Sequence, residues 1–260
     1  MTSVRVPEVE SAQEGTEYFS GWLPAPPVML LPGLYAGAWI WKPVREHLAT
    51  IGYSVLQMME PFAALDTKAI SIEVLRRMLI NALDDHGISQ AVLCGNSLGS
   101  LVALDTARHH PDRVKAIVMS GCPGLGETPS LGLRRRGEMS RDDANSIAGQ
   151  LFFDRSAIPE EIFEKSYAVA SRRRCAINML RYVVAIRKYD VRECLARIQC
   201  DVSMIWGEQD RVAPVEVWEA NLHLIAHATL HKLARCGHSP MIERAAEFNA
   251  ILTQFMREQG

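Results

Sequence analysis

The sequence predicts an α/β fold, a doubly wound and mostly parallel sheet that carries an α-helical insertion. Three observations predict it. Short apolar runs of strand type alternate with segments of helical spacing up to residue 121 and again from residue 198. One of these runs enters a helix through Gly95-Asn96-Ser97-Leu98-Gly99, a turn so tight that the flanking positions need glycine. Between residues 122 and 197 the alternation stops and only helix-like segments remain. The chain therefore divides into a core of residues 1–121 and 198–260 and an inserted unit of residues 122–197.

In chain order, residues 1–27 form a ragged start in which residues 16–22 read as an early edge strand. Residues 28–31 are a short buried strand closed by Pro32-Gly33. Residues 41–50 read as a helix, with Pro43 in the first turn and Gly52 beyond the end. Residues 53–58 are the next strand. Residues 70–86 place Ile72, Leu75, Leu79 and Leu83 on one helical side. The run 90–94 is the strand before the tight turn, residues 100–108 the helix after it, and residues 114–119 the following strand. In the insertion, residues 141–151, 159–170, 176–187 and 191–198 read as helices. Strands at 202–207 and 228–233 complete the sheet.

Composition narrows the function classes. A chain of 260 residues suits one α/β domain with an insertion. A net charge of −2 leaves no electrostatic footprint for nucleic acid. No apolar run approaches the length of a membrane helix. Residues 1–8 lack a basic region followed by an apolar core, so no secretory signal is read and a cytoplasmic location is expected. The six cysteines (Cys94, Cys122, Cys175, Cys194, Cys200 and Cys236) have neither disulfide-scaffold nor metal-ligand spacing, and are expected as reduced thiols.

The chemistry centres on Ser97. A strand-to-helix turn holds its hydroxyl clear of the sheet, at the amino end of a helix whose free N–H groups favour negative charge. A serine hydroxyl is a weak nucleophile until a base takes its proton, and the base needs a carboxylate to set its tautomer. Asp210 sits just past the 202–207 strand, and His238 lies in the loop after the 228–233 strand. The order Ser, Asp, His suits a nucleophile on an α/β sheet. The long gap between Ser97 and Asp210 leaves room for the insertion.

On these residues the chain resembles the α/β-hydrolase family over nearly its whole length. Gly95-Asn96-Ser97-Leu98-Gly99 is similar to the family's nucleophile elbow, Trp206-Gly207-Glu208-Gln209-Asp210 to its acid turn, and Cys236-Gly237-His238 to its histidine loop. The resemblance implies a triad of Ser97, Asp210 and His238. It also implies an oxyanion hole from the backbone N–H groups of Leu34 and Leu98, and a substrate-selecting helical cap at 122–197. Substrate contacts are expected at Gly33, Tyr35, Asn96 and Trp39. For Trp39 and Trp41, core packing of the first helix is the competing expectation.

Two departures matter. Pro32 stands where relatives often have histidine before the oxyanion glycine. The stretch 59–66 lacks the glycine-rich loop common in relatives, so that wall is expected to be bulkier and more apolar. Asp105 is expected on the polar face of the elbow helix, and His109-His110 at its carboxyl end, where cations suit the carbonyl dipoles. The runs Arg134-Arg135-Arg136 and Arg172-Arg173-Arg174 are either solvated faces or a landing patch for a carboxylate, a phosphate or an acidic carrier protein.

The resulting expectation is a serine hydrolase that cleaves an ester or thioester of a small apolar substrate through an acyl-enzyme, with no metal or organic cofactor. The passage Leu151-Phe152-Phe153-Asp154, taken with Cys236-Gly237-His238, is similar to hydrolases that cut carbon–carbon bonds in ring-fission diketones. That activity, or lyase, cyclase or acyl-transfer chemistry in secondary metabolism, is the alternative. A non-catalytic ligand receptor on the same fold is the third reading.

Overall fold

The computed structural model describes residues 11–13, 15–66, 70–126 and 139–259. The expected run 134–136 lies outside them. Strands β1 (Ser11–Gln13), β2 (Thr16–Phe19), β3 (Val28–Leu31), β4 (Val55–Met58), β5 (Ala91–Asn96), β6 (Val114–Ser120), β7 (Asp201–Gly207) and β8 (Ala228–Leu233) form one sheet. Its order is β1-β2-β4-β3-β5-β6-β7-β8. From β4 to β8 all neighbours pair parallel, while β1 and β2 add an antiparallel edge. Parallel neighbours need long crossovers. Helices α1 (Lys42–Thr50), α2 (Ile72–Asp85), α3 (Leu98–His109) and α8 (Val215–Ala220) lie within such connections. Between β6 and β7 come α4 (Arg141–Leu151), α5 (Glu160–Ala170), α6 (Arg173–Lys188) and α7 (Val191–Leu195), and no strand among the described residues. Helices α9 (Pro240–Glu243) and α10 (Ala245–Glu258) follow β8.

Strand alternation separates two cores. Met29 and Leu31 of β3, Ala91 and Leu93 of β5, and Ile117 and Met119 of β6 join one apolar cluster with α2 and α3. Val28, Leu30, Val92, Cys94, Ala116 and Val118 point to the other face, where α1 and α10 cover them. This period of two is the pleat of a sheet buried on both sides. Residues Tyr182 and Ile186 of α6, and Val191, Cys194 and Leu195 of α7, belong to the first cluster. The insertion is thus anchored in the main core at its carboxyl end.

The expected elements are found with differences at their ends, but β1, α9 and α10 were not among them, and β1 lies outside β2, so the strand at 16–19 is not the edge. β5 runs on to Asn96 and α3 starts at Leu98, so Ser97 alone makes the turn. Asp105 is a correction. It is 1 % exposed and not on a solvent face. Helix α3 is buried nearly all round, and Asp105 is satisfied inside by Arg76 Nη1 at 2.7 Å and by the Tyr189 hydroxyl at 2.7 Å. Hydrophobic spacing cannot signal a buried carboxylate whose partners come from α2 and from the turn after α6. All six cysteines are free thiols. Among the described residues, no helix is long and apolar enough to cross a membrane.

Candidate active site

Ser97 adopts φ 55° and ψ −122°, in left-handed space where a side chain is strained. Such a conformation costs on the order of 1–3 kcal/mol and persists only if its surroundings hold it. They do so here through hydrogen bonds and contact. The Ser97 N–H donates to the Ser120 carbonyl at 2.9 Å. A methyl on Gly99 would meet the Leu31 carbonyl oxygen at 2.4 Å, so glycine lets the start of α3 press directly on the end of β3. Ser100 Oγ belongs to the same knot, its one proton within reach of the carbonyls of both Gly95 and Ser120 at 2.8 and 2.9 Å.

His238 and Asp210 meet beside this turn. The imidazole Nδ1 lies 2.8 Å from Asp210 Oδ2, with His238 4 % and Asp210 5 % exposed. Asp210 Oδ1 accepts the backbone N–H groups of Val212 and Ala213, both at 2.9 Å. A carboxylate can only accept, so the proton is assigned to Nδ1 and Nε2 is left with a free lone pair. Gly121, at φ +59°, follows Ser120 directly, and a methyl there would stand 2.5 Å from His238 Cε1. The ring therefore lies against the tip of β6, next to the residue that anchors the Ser97 amide. Among the described residues the Ser97 side chain has no hydrogen bond, to the imidazole or elsewhere. Such bonds commonly close only when substrate is bound.

Asn96, a candidate substrate contact, uses its amide inside the protein. Its Nδ2 donates to Ser120 Oγ at 3.1 Å and to the His238 carbonyl at 3.0 Å. One side chain thus ties the histidine loop to the residue before Ser97. Asn96→Ala leaves the His238 carbonyl without this donor, and is expected to lower unfolding stability by about 1–3 kcal/mol in a denaturant titration. Glu243 is a second clamp that sequence reasoning missed. Its carboxylate accepts the N–H of Gly237 at 2.9 Å and that of Phe153 at 2.7 Å. Burial pushes this carboxyl above the usual glutamate range, against the pull of the N–H donors. The His238 N–H itself donates to the Leu151 carbonyl at 2.7 Å. The passage Leu151-Phe152-Phe153-Asp154 therefore fastens the end of α4 to the histidine loop. A glutamate five residues past the histidine, after a helix-starting proline, is the only trace of this in the sequence.

The loop after β3 runs beside the turn at Ser97. Gly33 lies close to Ser97, since a methyl on it would be 3.6 Å from Ser97 Cβ. The N–H groups of Leu34 and Leu98 donate to no acceptor among the described residues, and Leu98 is the first residue of α3, where helical N–H groups are unpaired. The loop is braced without the usual histidine. Phe62 and Ala63, in the stretch that replaced the second glycine loop, donate their N–H groups to the carbonyls of Gly33 and Leu34 at 3.2 and 3.3 Å. Both side chains are buried.

An apolar cavity lies between this site and the insertion. With its open mouth it encloses about 590 Å³. Tyr35 and Ser239, the neighbours of Leu34 and His238, line it from the core, and Ile147, Phe152, Ile162 and Phe163 line it from the insertion. Among the described residues no Lys, Arg, Asp or Glu reaches it. Among the described residues the buried Tyr35 hydroxyl has no partner, and burial raises its pKa, so it remains an O–H donor. Trp39 is not among the described lining residues; its indole N–H points to Ser166 Oγ, which is, at 3.4 Å. Trp41 is fully buried in the second core. No group of His, Cys, Asp and Glu among the described residues could hold a metal ion.

A family model described as the alpha/beta hydrolase family matches residues 28–251. The chain belongs to the alpha/beta hydrolase family. Among its relatives is the 2-hydroxy-6-oxo-6-phenylhexa-2,4-dienoate hydrolase of Comamonas testosteroni, 25% identical over 89% of this chain and 88% of that one. The 2-hydroxymuconate semialdehyde hydrolase of a Pseudomonas species is 28% identical over 89% and 87%. In three dimensions the chain superposes on the meta-cleavage product hydrolase of Pseudomonas fluorescens IP01 with a TM-score of 0.80, at 22% identity, covering 94% of this chain and 95% of that one. The hydrolase fold, its elbow geometry and these relatives make the protein an enzyme of the alpha/beta hydrolase fold.

Proposed function

We propose that the protein is a serine hydrolase that cleaves an ester-like bond of a neutral, largely apolar acyl substrate through an acyl-enzyme. Ser97 Oγ attacks the carbonyl while His238 Nε2 takes its proton. Asp210 holds the imidazole by Nδ1 and stabilises the imidazolium. The N–H groups of Leu34 and Leu98 receive the oxyanion, each such donor being worth about 3–4 kcal/mol of barrier. His238 returns the proton to the leaving group, and water then releases the acid by the same route. Residues 122–197 act as the cap that selects the acyl group.

The observation that carries this reading is the cavity lined by Tyr35 and by Ser239, the residue after His238. Its described lining is apolar and uncharged. Burying a carboxylate there without a cation would cost several kcal/mol, which favours uncharged acyl groups. The second reading keeps the same triad but breaks a carbon–carbon bond. It is supported by the Comamonas relative, whose name specifies a 6-oxo dienoate, and by the passage Leu151-Phe152-Phe153-Asp154.

One comparison separates them. 4-Nitrophenyl hexanoate is expected to turn over with kcat/KM of about 10⁴ M⁻¹ s⁻¹, a low but ordinary enzymatic value. 2-Hydroxy-6-oxo-6-phenylhexa-2,4-dienoate, followed by loss of its visible absorbance, is expected to be at least about a hundredfold poorer, in line with an unpaired buried carboxylate. A reversed ratio transfers the protein to the second reading. Tight binding of either compound with no product supports a receptor instead.

A further inference from the structure

The outer face of α6 is a single cationic stripe. The helix carries Arg173, Arg174, Arg181, Arg187 and Lys188 and no acidic residue, in a chain whose net charge is −2. All five cations are exposed, together with Ile177 (41%) and Val184 (50%). At 3.6 residues per turn these seven side chains fall within an arc of roughly 140°. Val184 and Ile177 lie inside that arc, between Arg173 and Lys188. The opposite side of α6, with Cys175, Asn178, Met179, Tyr182 and Ile186, is buried against the protein. Arg174 pairs with Asp66 at 3.0 Å. Arg173, Arg181, Arg187 and Lys188 have no carboxylate in ion-pair range among the described residues. The fold therefore makes no internal use of four of these charges.

We infer that this stripe docks an acidic carrier protein that presents its acyl group to Ser97 as a thioester. The inference rests on the acyl-hydrolase reading above and names the donor for it. Charge complementarity selects an acidic partner. Arginine with aliphatic residues between is the composition of a protein interface more than of a solvated face, where lysine prevails. A lipid surface would need an apolar face to insert, and that of α6 is already packed against the core. The position also suits delivery. On its buried side Asn178 Nδ2 donates to the Ala63 carbonyl at 3.1 Å, and from the edge of the stripe Arg174 donates to the Ala64 carbonyl at 3.1 Å. Phe62 and Ala63 in turn brace Gly33 and Leu34 beside Ser97. The stripe thus lies on the outside of the element whose inside supports the oxyanion loop. In the reaction, the Ser97 Oγ–acyl bond forms as the C–S bond breaks. The thiolate takes the proton from His238, and water converts the acyl-enzyme to free acid.

The test compares an acidic bacterial acyl carrier protein loaded with octanoate, free octanoyl-pantetheine, and 4-nitrophenyl octanoate. At about 50 mM salt, where screening is weak, kcat/KM for the carrier-bound thioester is expected to exceed that for the free thioester at least about tenfold, through KM. High salt, or the triple variant Arg173→Glu, Arg181→Glu and Arg187→Glu, is expected to remove that advantage and leave nitrophenyl ester turnover unchanged. Should the triple variant misfold, Arg181→Glu alone and the salt titration of the native protein carry the same comparison. Equal rates with carrier-bound and free thioester overturn the proposal, as does an advantage that survives charge reversal. So does sedimentation with anionic phospholipid vesicles without affinity for the carrier. Loss of nitrophenyl ester turnover in the native protein would instead be a failure of the hydrolase reading. Docking is then still read by the fluorescence anisotropy of labelled carrier, with native binding and its loss in Arg181→Glu as the supporting result, and no binding as the refuting one.

Discussion

Ser97→Ala is expected to lower kcat on 4-nitrophenyl hexanoate by about five to six orders of magnitude, and to abolish labelling by a fluorophosphonate probe. The loss should fall on chemistry and not on folding. The Ser97 side chain makes no hydrogen bond among the described residues, and alanine is no more strained than serine at φ 55°. The knot of Ser100, Ser120 and Gly95 that holds the turn stays intact. Thermal unfolding of the variant should therefore match that of the native protein within a few degrees. Labelling that persists in Ser97→Ala would remove this residue from the nucleophile role, and the acyl-enzyme with it.

Asp210→Asn is expected to cost about 10⁴-fold in kcat with little change in KM, because it reverses the imidazole tautomer. The two oxygens of Asp210 have different duties. Oδ1 accepts the N–H groups of Val212 and Ala213, and Oδ2 accepts from His238 Nδ1. An asparagine must keep its carbonyl oxygen toward the two backbone donors, which turns its NH₂ toward the ring. His238 then presents a lone pair at Nδ1 and carries its proton on Nε2, where it cannot receive one from Ser97. Nitrogen-15 NMR of the imidazole should show the protonated nitrogen change from Nδ1 to Nε2. A variant within tenfold of the native rate would show that tautomer control by Asp210 is not what the reaction needs.

Much of this site was legible because chemistry constrains it locally. A nucleophile on a strand-to-helix turn needs small neighbours, so Gly95 and Gly99 mark Ser97 in one dimension. Asp210 and His238 follow strand ends, and apolar runs locate strand ends. The donors expected at Leu34 and Leu98 are what the family resemblance implies. What stayed hidden depends on long-range partners. Asn96 looks like a residue free to meet substrate until its amide is found bonded to Ser120 and to the His238 carbonyl. Glu243 gives no sign that it clamps Gly237 and Phe153. Pro32 in place of histidine puts the loop after β3 in question, and the bracing of its carbonyls by the N–H groups of Phe62 and Ala63 is visible only in three dimensions.

The amino-acid order by itself determined the class of fold, the order of its elements and three chemical groups suited to acyl transfer. Each of these is written in short-range features: periodicity, turn residues and the ends of apolar runs. Tertiary structure decided which polar side chains are consumed as braces. It decided that Asp105 is an interior ion-pair partner, that an uncharged cavity lies between Tyr35 and Ser239 and the insertion, and that five cations of α6 lie on its exposed side. Those outcomes depend on which distant surfaces meet, and burial against a remote element leaves no local mark on the residues it joins.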